Sequence, residues 1–302
     1  MTAATRPEVA PAKVNLFLHV LGRRADGYHE IESLIAFAAC GDRVTAAPAA
    51  GPALALHGPF AAALRASGPE ADNLALRAER AFVQALGGPR LAIGLDKRLP
   101  LAAGLGGGSA DAAAVLRLAA RRAGIGDDDG RLAAVAAGLG ADVPACLLNR
   151  PCLARGLGER LQPRERVPEV AAVLVNPGVA LPTAAVFAAW SPQAAPAPCA
   201  PERIAGAGDA AALADALGET HNMLQPSACR LAPAVTDAIG ALQSMPGCVL
   251  ARMSGSGATC FGVFGNDRQA GDAAAAIARR QPGWWVRATR LLGWPAAVPE
   301  PA

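Results

Sequence analysis

Short apolar runs separated by Gly- and Pro-containing turns recur along the chain and predict a mixed α and β protein. In the first half, apolar runs of strand length predict strands at residues 14–20, 31–38, 44–47, 53–57 and 91–95. Helical spacing predicts three helices: 73–86, one running from the 104–109 glycine loop to about Gly124, and one capped within 127–129 that ends near Gly140.

The second half shows a different order of elements. We predict strands at 170–175, 249–253, 259–264 and 284–289, and helices at 183–190, 209–217, 231–242 and 267–280. This order suggests a split βαβ sandwich of the ferredoxin-like kind. Residues 191–208, rich in Pro, Ala and Gly, are predicted to form a loop, and the polar stretch near 155–165 is a plausible domain boundary.

Composition excludes several classes of protein. The chain has 302 residues and is 52% hydrophobic, so it is not a disordered chain. No run of about 18 apolar residues exists, so no spanning helix is expected, and the region around Arg6 and Glu8 does not resemble a signal peptide. A net charge of +3 is too small to indicate a nucleic-acid surface. Seven scattered cysteines without a Cys-x-x-Cys pair favour reduced thiols and a cytoplasmic location.

Two further biases stand out. Ala fills about a quarter of the positions, so the core is expected to rely on close packing of small side chains. Of the 28 cationic residues only Lys13 and Lys97 are lysines. Where any cation suffices, this chain uses Arg, so both lysines are candidates for a specific role.

Gly104-Leu-Gly-Gly-Gly-Ser109 is the most informative local feature. Glycines let backbone N–H groups approach an anion, and the helix that follows adds unpaired donors and a positive dipole end. The alternative is a tight loop-to-helix connection in a Gly-rich chain. The segment lacks the Gly-Lys-Ser/Thr of a Walker A loop, and the spacing to Ser109 weakens a dinucleotide-binding interpretation.

Polar residues inside apolar surroundings mark further candidates. Asp142, between a helix end and a Pro turn, is either the N-cap of a short helix or a functional carboxylate. Lys13 either extends to solvent from a strand edge or contributes chemistry, while the amide of Asn15 within an apolar strand needs partners. Tyr28 and His29 form either a surface turn or a site for a planar base.

A second Gly-rich loop, residues 254–261, resembles a hairpin turn. Together with residues 11–16 and 100–110 it forms an ordered set of three motifs. In this respect the chain resembles the kinases of the galactokinase, homoserine kinase, mevalonate kinase and phosphomevalonate kinase (GHMP) superfamily. The resemblance extends loosely over residues 8–292. It is strongest at the motifs, including the stretch 11–30 and the segment Gly140-Ala-Asp-Val-Pro144.

The resemblance implies an α+β fold of two domains. These would be an N-terminal ribosomal-protein-S5-domain-2-like domain (1–160) carrying the phosphate loop and a C-terminal ferredoxin-like domain (161–302), with the active site in the cleft between them. Ala102-Ala103 stand where members often have Gly-Gly, and Ala110-Asp111 stand where Ser-Asn is common. The glycines nearest the helix are retained, so phosphate binding is still expected.

The resemblance also implies an activity and a set of roles. ATP, as its Mg²⁺ complex, would phosphorylate a cytidine diphosphate-linked methylerythritol, with Asp142 and Lys13 as the catalytic pair. The substrate would contact Asn15, Tyr28, His29, Thr183 and Phe187. The ATP-binding set would be Asn73, Lys97, Pro100, Leu101, Ala102, Ala103, Gly104, Leu105, Gly106, Gly107, Gly108, Ser109 and Ala110, with Ser109 also a candidate Mg²⁺ ligand.

Three alternatives remain open at this point. The first is a superfamily kinase that acts on mevalonate or homoserine, substrates that have no base to stack on Tyr28 and His29. A non-catalytic module would bind ATP without turnover, and a dinucleotide oxidoreductase would bind NAD(P). Neither a nucleic acid nor a membrane is expected as a partner, and the oligomeric state is not encoded in any motif.

Overall fold

The computed structural model describes residues 7–126, 128–191 and 201–293. The predicted capping position 127, residues 192–200 of the predicted loop and the tail from Trp294 lie outside the described residues. Two compact units are present, each assembled from separate stretches of sequence. Among described residues, the first comprises 7–12, 41–101 and 106–149, and the second comprises 13–40, 102–105 and 150–293. The predicted division into domains 1–160 and 161–302 stays a prediction.

The strands and helices follow the apolar pattern closely. The strands are β1 (Glu8–Arg23), β2 (His29–Pro48), β3 (Ala53–His57), β4 (Leu91–Asp96), β5 (Cys152–Gly156), β6 (Arg160–Pro163), β7 (Val170–Asn176), β8 (Cys248–Met253), β9 (Cys260–Phe264) and β10 (Trp285–Leu292). The helices are α1 (Ala61–Ala66), α2 (Leu74–Leu86), α3 (Gly107–Ala123), α4 (Gly130–Leu139), α5 (Val143–Leu148), α6 (Thr183–Ala188), α7 (Pro201–Ala205), α8 (Ala210–Ala216), α9 (Gln225–Leu231), α10 (Ala234–Gln243) and α11 (Asp267–Arg280), with a 3₁₀ turn at Glu70–Asp72.

In the first unit, helices pack beside a small sheet. The end of β2 pairs antiparallel with β4, and β3 pairs parallel with β4. Helix α3 packs against α2 and α5, and α2 packs against α4. Every residue of α3 from Ala110 to Ala120 is buried, five of them as alanines with 1% exposure or less. The abundance of Ala therefore serves close helix packing here, as predicted.

The second unit contains an antiparallel sheet in the order β8-β9-β7-β10. Helices α10 and α11 pack against it, and its core includes Val173, Val175, Phe264 and Ile277. Counted from β7, the strand order is 2-3-1-4, which is the order of a split βαβ sandwich. The predicted ferredoxin-like arrangement is confirmed. On its other side, β10 pairs with the first part of β2, which also pairs with β5.

Strands β5 and β6 occupy the stretch predicted as a polar boundary. They form an antiparallel hairpin, in which Arg155 donates to Glu32 at 2.8 Å and Arg160 to Glu30 at 2.8 Å. Because its outward residues are charged and paired, this hairpin lacks the apolar alternation that predicts a strand.

Other differences have local causes. Strand β2 is continuous over two predicted strands, because Gly41 lets the backbone of Ala10 approach where a Cβ would collide with its carbonyl group. The helix predicted at 231–242 begins three residues later, as α10 at Ala234, since Pro233 cannot donate an N–H and disfavours helix before it; α9, at Gln225–Leu231, is almost wholly outside the prediction. Helix α7 lies within the predicted 191–208 loop. Within the described parts of the chain, no helix has the length and apolar composition needed to cross a membrane.

Candidate active site

The glycine loop leads into the N-terminus of α3. The backbone is left-handed at Ala102, Gly104 and Gly106, with φ of 47°, 72° and 61°. Gly106 occupies the N-cap position and provides no side chain to cap the first turn, which contains Ser109. Because N–H groups at a helix start have no intrahelical partner, this geometry favours an anion over a purely structural turn. Ala102 adopts a conformation that glycine adopts with less strain, which explains why Gly is common at this position of the motif.

The first arm of the glycine loop, residues 102–105, is attached to the loop between β8 and β9. The Ser254 hydroxyl donates to the carbonyl of Gly104 at 3.0 Å, and the Thr259 N–H donates to the carbonyl of Ala103 at 3.1 Å. A Cβ on Gly104 would collide with the carbonyl oxygen of Ser254. Glycine at 104 is therefore required by both its φ and its close backbone neighbours.

The β8–β9 loop is a hairpin turn, as its spacing predicts. Ser254 N–H donates to Thr259 O at 2.9 Å, and Gly257 N–H donates to Ser254 O at 3.0 Å. Gly255 and Gly257 have positive φ, of 57° and 87°. The turn thus combines its structural role with support of the glycine loop.

Lys97 lies at the centre of a buried ion cluster. Its ammonium contacts Asp42 Oδ2 at 2.5 Å and Asp111 Oδ2 at 2.7 Å, and its side chain is 2% exposed. Burial alone would lower the pKa of Lys97, but the two carboxylates outweigh it and the pKa is raised. Burial, opposed by Lys97 and reinforced by Asp42, raises the pKa of the Asp111 carboxyl to about 7.

The same cluster fixes the backbone around the lysine. Asp42 Oδ1 accepts the N–H groups of Arg98 at 2.5 Å and Leu99 at 2.8 Å. A Cβ on Gly107, the first residue of α3, would lie 3.1 Å from Lys97 Nζ. The ammonium therefore lies close to the start of α3 and is linked to that helix through Asp111.

Lys13 belongs to a buried chain of hydrogen bonds. Lys13 Nζ donates to Asn15 Oδ1 at 3.1 Å, and Asn15 Nδ2 donates to Ser33 Oγ at 2.7 Å. The Asn15 N–H donates to Ser254 Oγ at 3.1 Å, and the Lys13 N–H donates to Leu105 O at 2.8 Å. Lys13 is 5% exposed, so the interpretation that it extends to solvent from a strand edge is wrong.

Asp142 immediately precedes α5. It occupies the N-cap position, and its carbonyl accepts the Cys146 N–H at 3.1 Å, but its side chain makes no capping hydrogen bond. The capping interpretation thus explains the position of Asp142 and not its half-buried carboxylate. Asp142 belongs to the first compact unit and Lys13 to the second, and their pairing stays a prediction.

Of the predicted acceptor residues, His29 and Phe187 are in direct contact. The His29 ring stacks on Phe187, with centroids 5.1 Å apart and planes 29° apart. Tyr28 is 64% exposed, and Thr183 Oγ1 shares a 2.8 Å hydrogen bond with Ser256 Oγ. Burial lowers the pKa of His29, and the nearby Arg23 charge lowers it further, so the ring is neutral at pH 7.

Asn73, predicted near an adenine, caps α2. Its Oδ1 accepts the Ala75 N–H at 2.9 Å. This bond fixes the orientation of the amide and leaves its NH₂ group as a donor.

Several supporting residues carry no local signal in the sequence. Asp42 pairs with Lys97 across 55 positions, and Ser254 with Asn15 across 239. Trp190 lies with its ring centroid 5.5 Å from that of His29, at 83° between the planes. Phe187 and Trp190 are three residues apart, the spacing that places two side chains on one face of a helical turn. This spacing is the one signal in the sequence that could have indicated Trp190.

A resident metal ion would require several clustered ligand side chains. No cluster of three or more His, Cys, Asp or Glu side chains suited to a metal ion occurs in the described residues. Mg²⁺ commonly takes one or two protein oxygens and completes its shell with phosphate oxygens and water. The Ser109 hydroxyl in the first turn of α3 fits that pattern.

Comparison with known proteins gives matches over most of the chain. Residues 73–150 match the GHMP kinases N terminal domain, and residues 202–283 match the GHMP kinases C terminal family. A 4-diphosphocytidyl-2-C-methyl-D-erythritol kinase from Xanthobacter autotrophicus is 49% identical, covering 93% of this chain and 97% of that protein. One from Rhizorhabdus wittichii is 51% identical over 94% of both.

A solved structure extends the similarity to three dimensions. The crystal structure of a 4-(cytidine 5'-diphospho)-2C-methyl-D-erythritol kinase is 38% identical, with a TM-score of 0.77, covering 95% of this chain and all of that one. The two-domain GHMP kinase architecture expected from the motifs is therefore confirmed.

Proposed function

Because this chain belongs to the 4-diphosphocytidyl-2-C-methyl-D-erythritol kinase family of GHMP kinases, we propose that it phosphorylates the substrate in that name. The reaction would transfer the γ-phosphoryl group of ATP to the 2-hydroxyl, giving the 2-phosphate and ADP, in the non-mevalonate route to isoprenoid precursors. The observation that carries the proposal is about 50% identity over more than nine-tenths of the chain. We place the reaction in the cytoplasm, with neither nucleic acid nor membrane as a partner.

The nucleotide part of the site would be the segment 100–110. The left-handed turn at Gly106 presents the open end of α3 to the phosphates, and the segment 102–105 is held from behind by Ser254 and Thr259. Asn73 would approach the adenine, and Lys97 would act indirectly, since its ammonium is committed to Asp42 and Asp111.

Mg²⁺ would neutralise charge on the phosphates, with Ser109 the protein oxygen best suited to it. The remaining steps depend on side chains. A bond forms between the acceptor 2-oxygen and the γ-phosphorus, the bond from that phosphorus to the β,γ-bridging oxygen breaks, and ADP leaves. The hydroxyl proton passes to the carboxylate of Asp142, and Lys13 stabilises the developing charge.

Asn15 would orient the methylerythritol. Its amide direction is fixed, since Nδ2 donates to Ser33 and Oδ1 accepts from Lys13. His29 would hydrogen-bond the cytosine edge, with Tyr28 and Phe187 supplying aromatic faces and Thr183 a hydroxyl. The neutral His29 ring has one donor and one acceptor nitrogen, and the edge of cytosine likewise carries both a donor and acceptors.

An acceptor panel tests this function. Purified protein with ATP and Mg²⁺ is offered the cytidine diphosphate-linked methylerythritol, mevalonate and homoserine, and ADP release is measured. Turnover with the cytidine-linked acceptor alone is expected. Turnover only with an acceptor lacking cytosine would overturn the proposal in favour of another superfamily kinase.

The substitution Asp142→Asn separates a kinase from a module that merely binds ATP. Loss of the carboxylate is expected to lower kcat by about 10²-fold or more, within the range of a positioned base. The Kd for ATP, measured by calorimetry, should be retained. An unchanged kcat would remove Asp142 from the mechanism.

A further inference from the structure

The surroundings of His29 contain an aromatic residue with no role in the mechanism described above. Trp190 follows the end of α6, and its backbone N–H donates to the carbonyl of Phe187 at 3.2 Å. Its ring meets His29 nearly edge-on, while Phe187 stacks on the same imidazole. His29 is therefore in contact with two rings from one short segment.

Hydrogen bonds from α9 hold the segment that carries Phe187 and Trp190. The carbonyl of Ala189 accepts the Ser227 hydroxyl at 2.9 Å and Arg230 Nη2 at 3.2 Å, both from α9. Arg230 Nη2 also donates to Ser227 Oγ at 3.0 Å. These bonds hold the peptide between Phe187 and Trp190, so neither ring depends on its own side-chain packing alone.

Packing on the apolar core favours a large ring at this position, whereas the indole N–H opposes it. The indole Nε1 is buried without a hydrogen-bond partner among the described residues. A buried N–H that lacks a partner costs free energy, and a phenylalanine would fill apolar space without that cost. Compared with a phenylalanine, the indole adds apolar area on the core and a ring that meets His29.

We propose that Trp190 is a positioning residue for the acceptor, because it fixes the plane in which the His29 imidazole meets the cytosine base. The inference rests on the proposed function, and it adds a residue that touches His29 rather than the reacting atoms. A ring free to rotate about its side-chain bonds would lose part of its hydrogen-bond energy to ordering, and two ring contacts remove that loss in advance.

The test compares Trp190→Leu and Trp190→Phe with Trp284→Leu, a matched loss of another half-buried tryptophan packed on the same core. For Trp190→Leu the KM of the cytidine-linked acceptor should rise about 3- to 10-fold, the range of one aromatic contact. The KM of ATP should stay within about twofold, and Trp284→Leu should change neither. Trp190→Phe should fold, melt no lower than wild type, and raise the acceptor KM less.

Direct binding of CMP, measured by calorimetry without ATP, provides a second readout and should weaken in parallel. Acceptor KM and CMP affinity unchanged in both Trp190 variants would overturn the inference, as would equal rises in the KM of ATP and acceptor. If the wild-type protein itself fails to use the cytidine-linked acceptor, the proposed function fails instead, so the two failures are distinguishable.

Discussion

The two lysines of this chain donate to different kinds of group. Lys97, in the first compact unit, has its ammonium between two buried carboxylates. Lys13, in the second, donates to the neutral amide of Asn15, which itself is held by Ser33. The carboxylates of Asp42 and Asp111 pair with the ammonium of Lys97 inside the protein, whereas the Asn15 amide oxygen fixes where the ammonium of Lys13 lies.

Under the proposed function, one residue type serves the architecture of the protein in one region and its chemistry in the other. A buried cation with two carboxylates contributes to a helix start, and its removal leaves uncompensated charge. In the proposed reaction the ammonium of Lys13 stabilises negative charge that develops on the acceptor. The comparison therefore predicts that substitution of Lys97 mainly lowers stability, whereas substitution of Lys13 mainly lowers kcat.

The largest expected effect on stability comes from Lys97→Met. Removing the ammonium leaves Asp42 and Asp111 buried beside each other, and breaking such a cluster costs about 3–5 kcal/mol. Calorimetry should show a Tm lower by roughly 6 °C or more, at about 2 °C per kcal/mol. Lys13→Met is the matched variant and should lose distinctly less. A larger loss for Lys13→Met would reverse the assignment.

A second expected effect concerns the backbone that supports the phosphates. In Gly104→Ala the new Cβ would meet Ser254 O, so the loop must shift. Since displacements of about 1 Å can cost 10²-fold, the KM of ATP should rise about tenfold or more. Gly124→Ala is the control, because Gly124 has a similar φ of 68° with open space around it. Equal KM values for the two variants would contradict the role of this contact.

The smallest expected effect is a change in the pH dependence of stability. The folded pKa of Asp111, about 7, exceeds its ordinary value of 3.8. Between these values the folded chain keeps a proton that the unfolded chain has released, so this residue makes stability fall as pH rises from about 4 to 7 and level off above. Asp111→Asn should therefore raise Tm relative to wild type more at pH 8 than at pH 5.

The control for that experiment is Asp272→Asn, which changes a carboxylate that is 79% exposed. Its effect on Tm should not vary over the same pH range. A Tm difference for Asp111→Asn that is constant from pH 5 to pH 8 would show that the carboxyl has no raised pKa.

Local patterns in the sequence predicted the parts of the fold that depend on near neighbours. The apolar spacing located α2, α3 and β7–β10, and the glycine run located the helix start that begins at Gly107. The ion cluster of Lys97 was not predictable, because Asp42 is brought to it by strand pairing between β2 and β4. Trp190 was missed for the same reason, since only folding sets it against His29.

The division into compact units shows the same limit. Residues 13–40 lie early in the sequence and yet belong to the unit formed mainly by residues 150–293. A boundary inferred from composition follows the order of the chain, whereas a compact unit follows strand pairing. The roles assigned to Asp142, Lys13 and the acceptor residues come from family resemblance and stay predictions until variants are assayed.

The most direct test of the different roles of the lysines is kcat for phosphoryl transfer in Lys13→Arg, Lys13→Ala and Lys97→Arg, with ATP and the cytidine-linked acceptor saturating. A guanidinium is a wide planar fork, whereas an ammonium is a compact point charge. Lys13→Arg should therefore lose about as much as Lys13→Ala, roughly 10²-fold or more, and Lys97→Arg should lose less. Near-normal turnover by Lys13→Arg would contradict the catalytic role of Lys13.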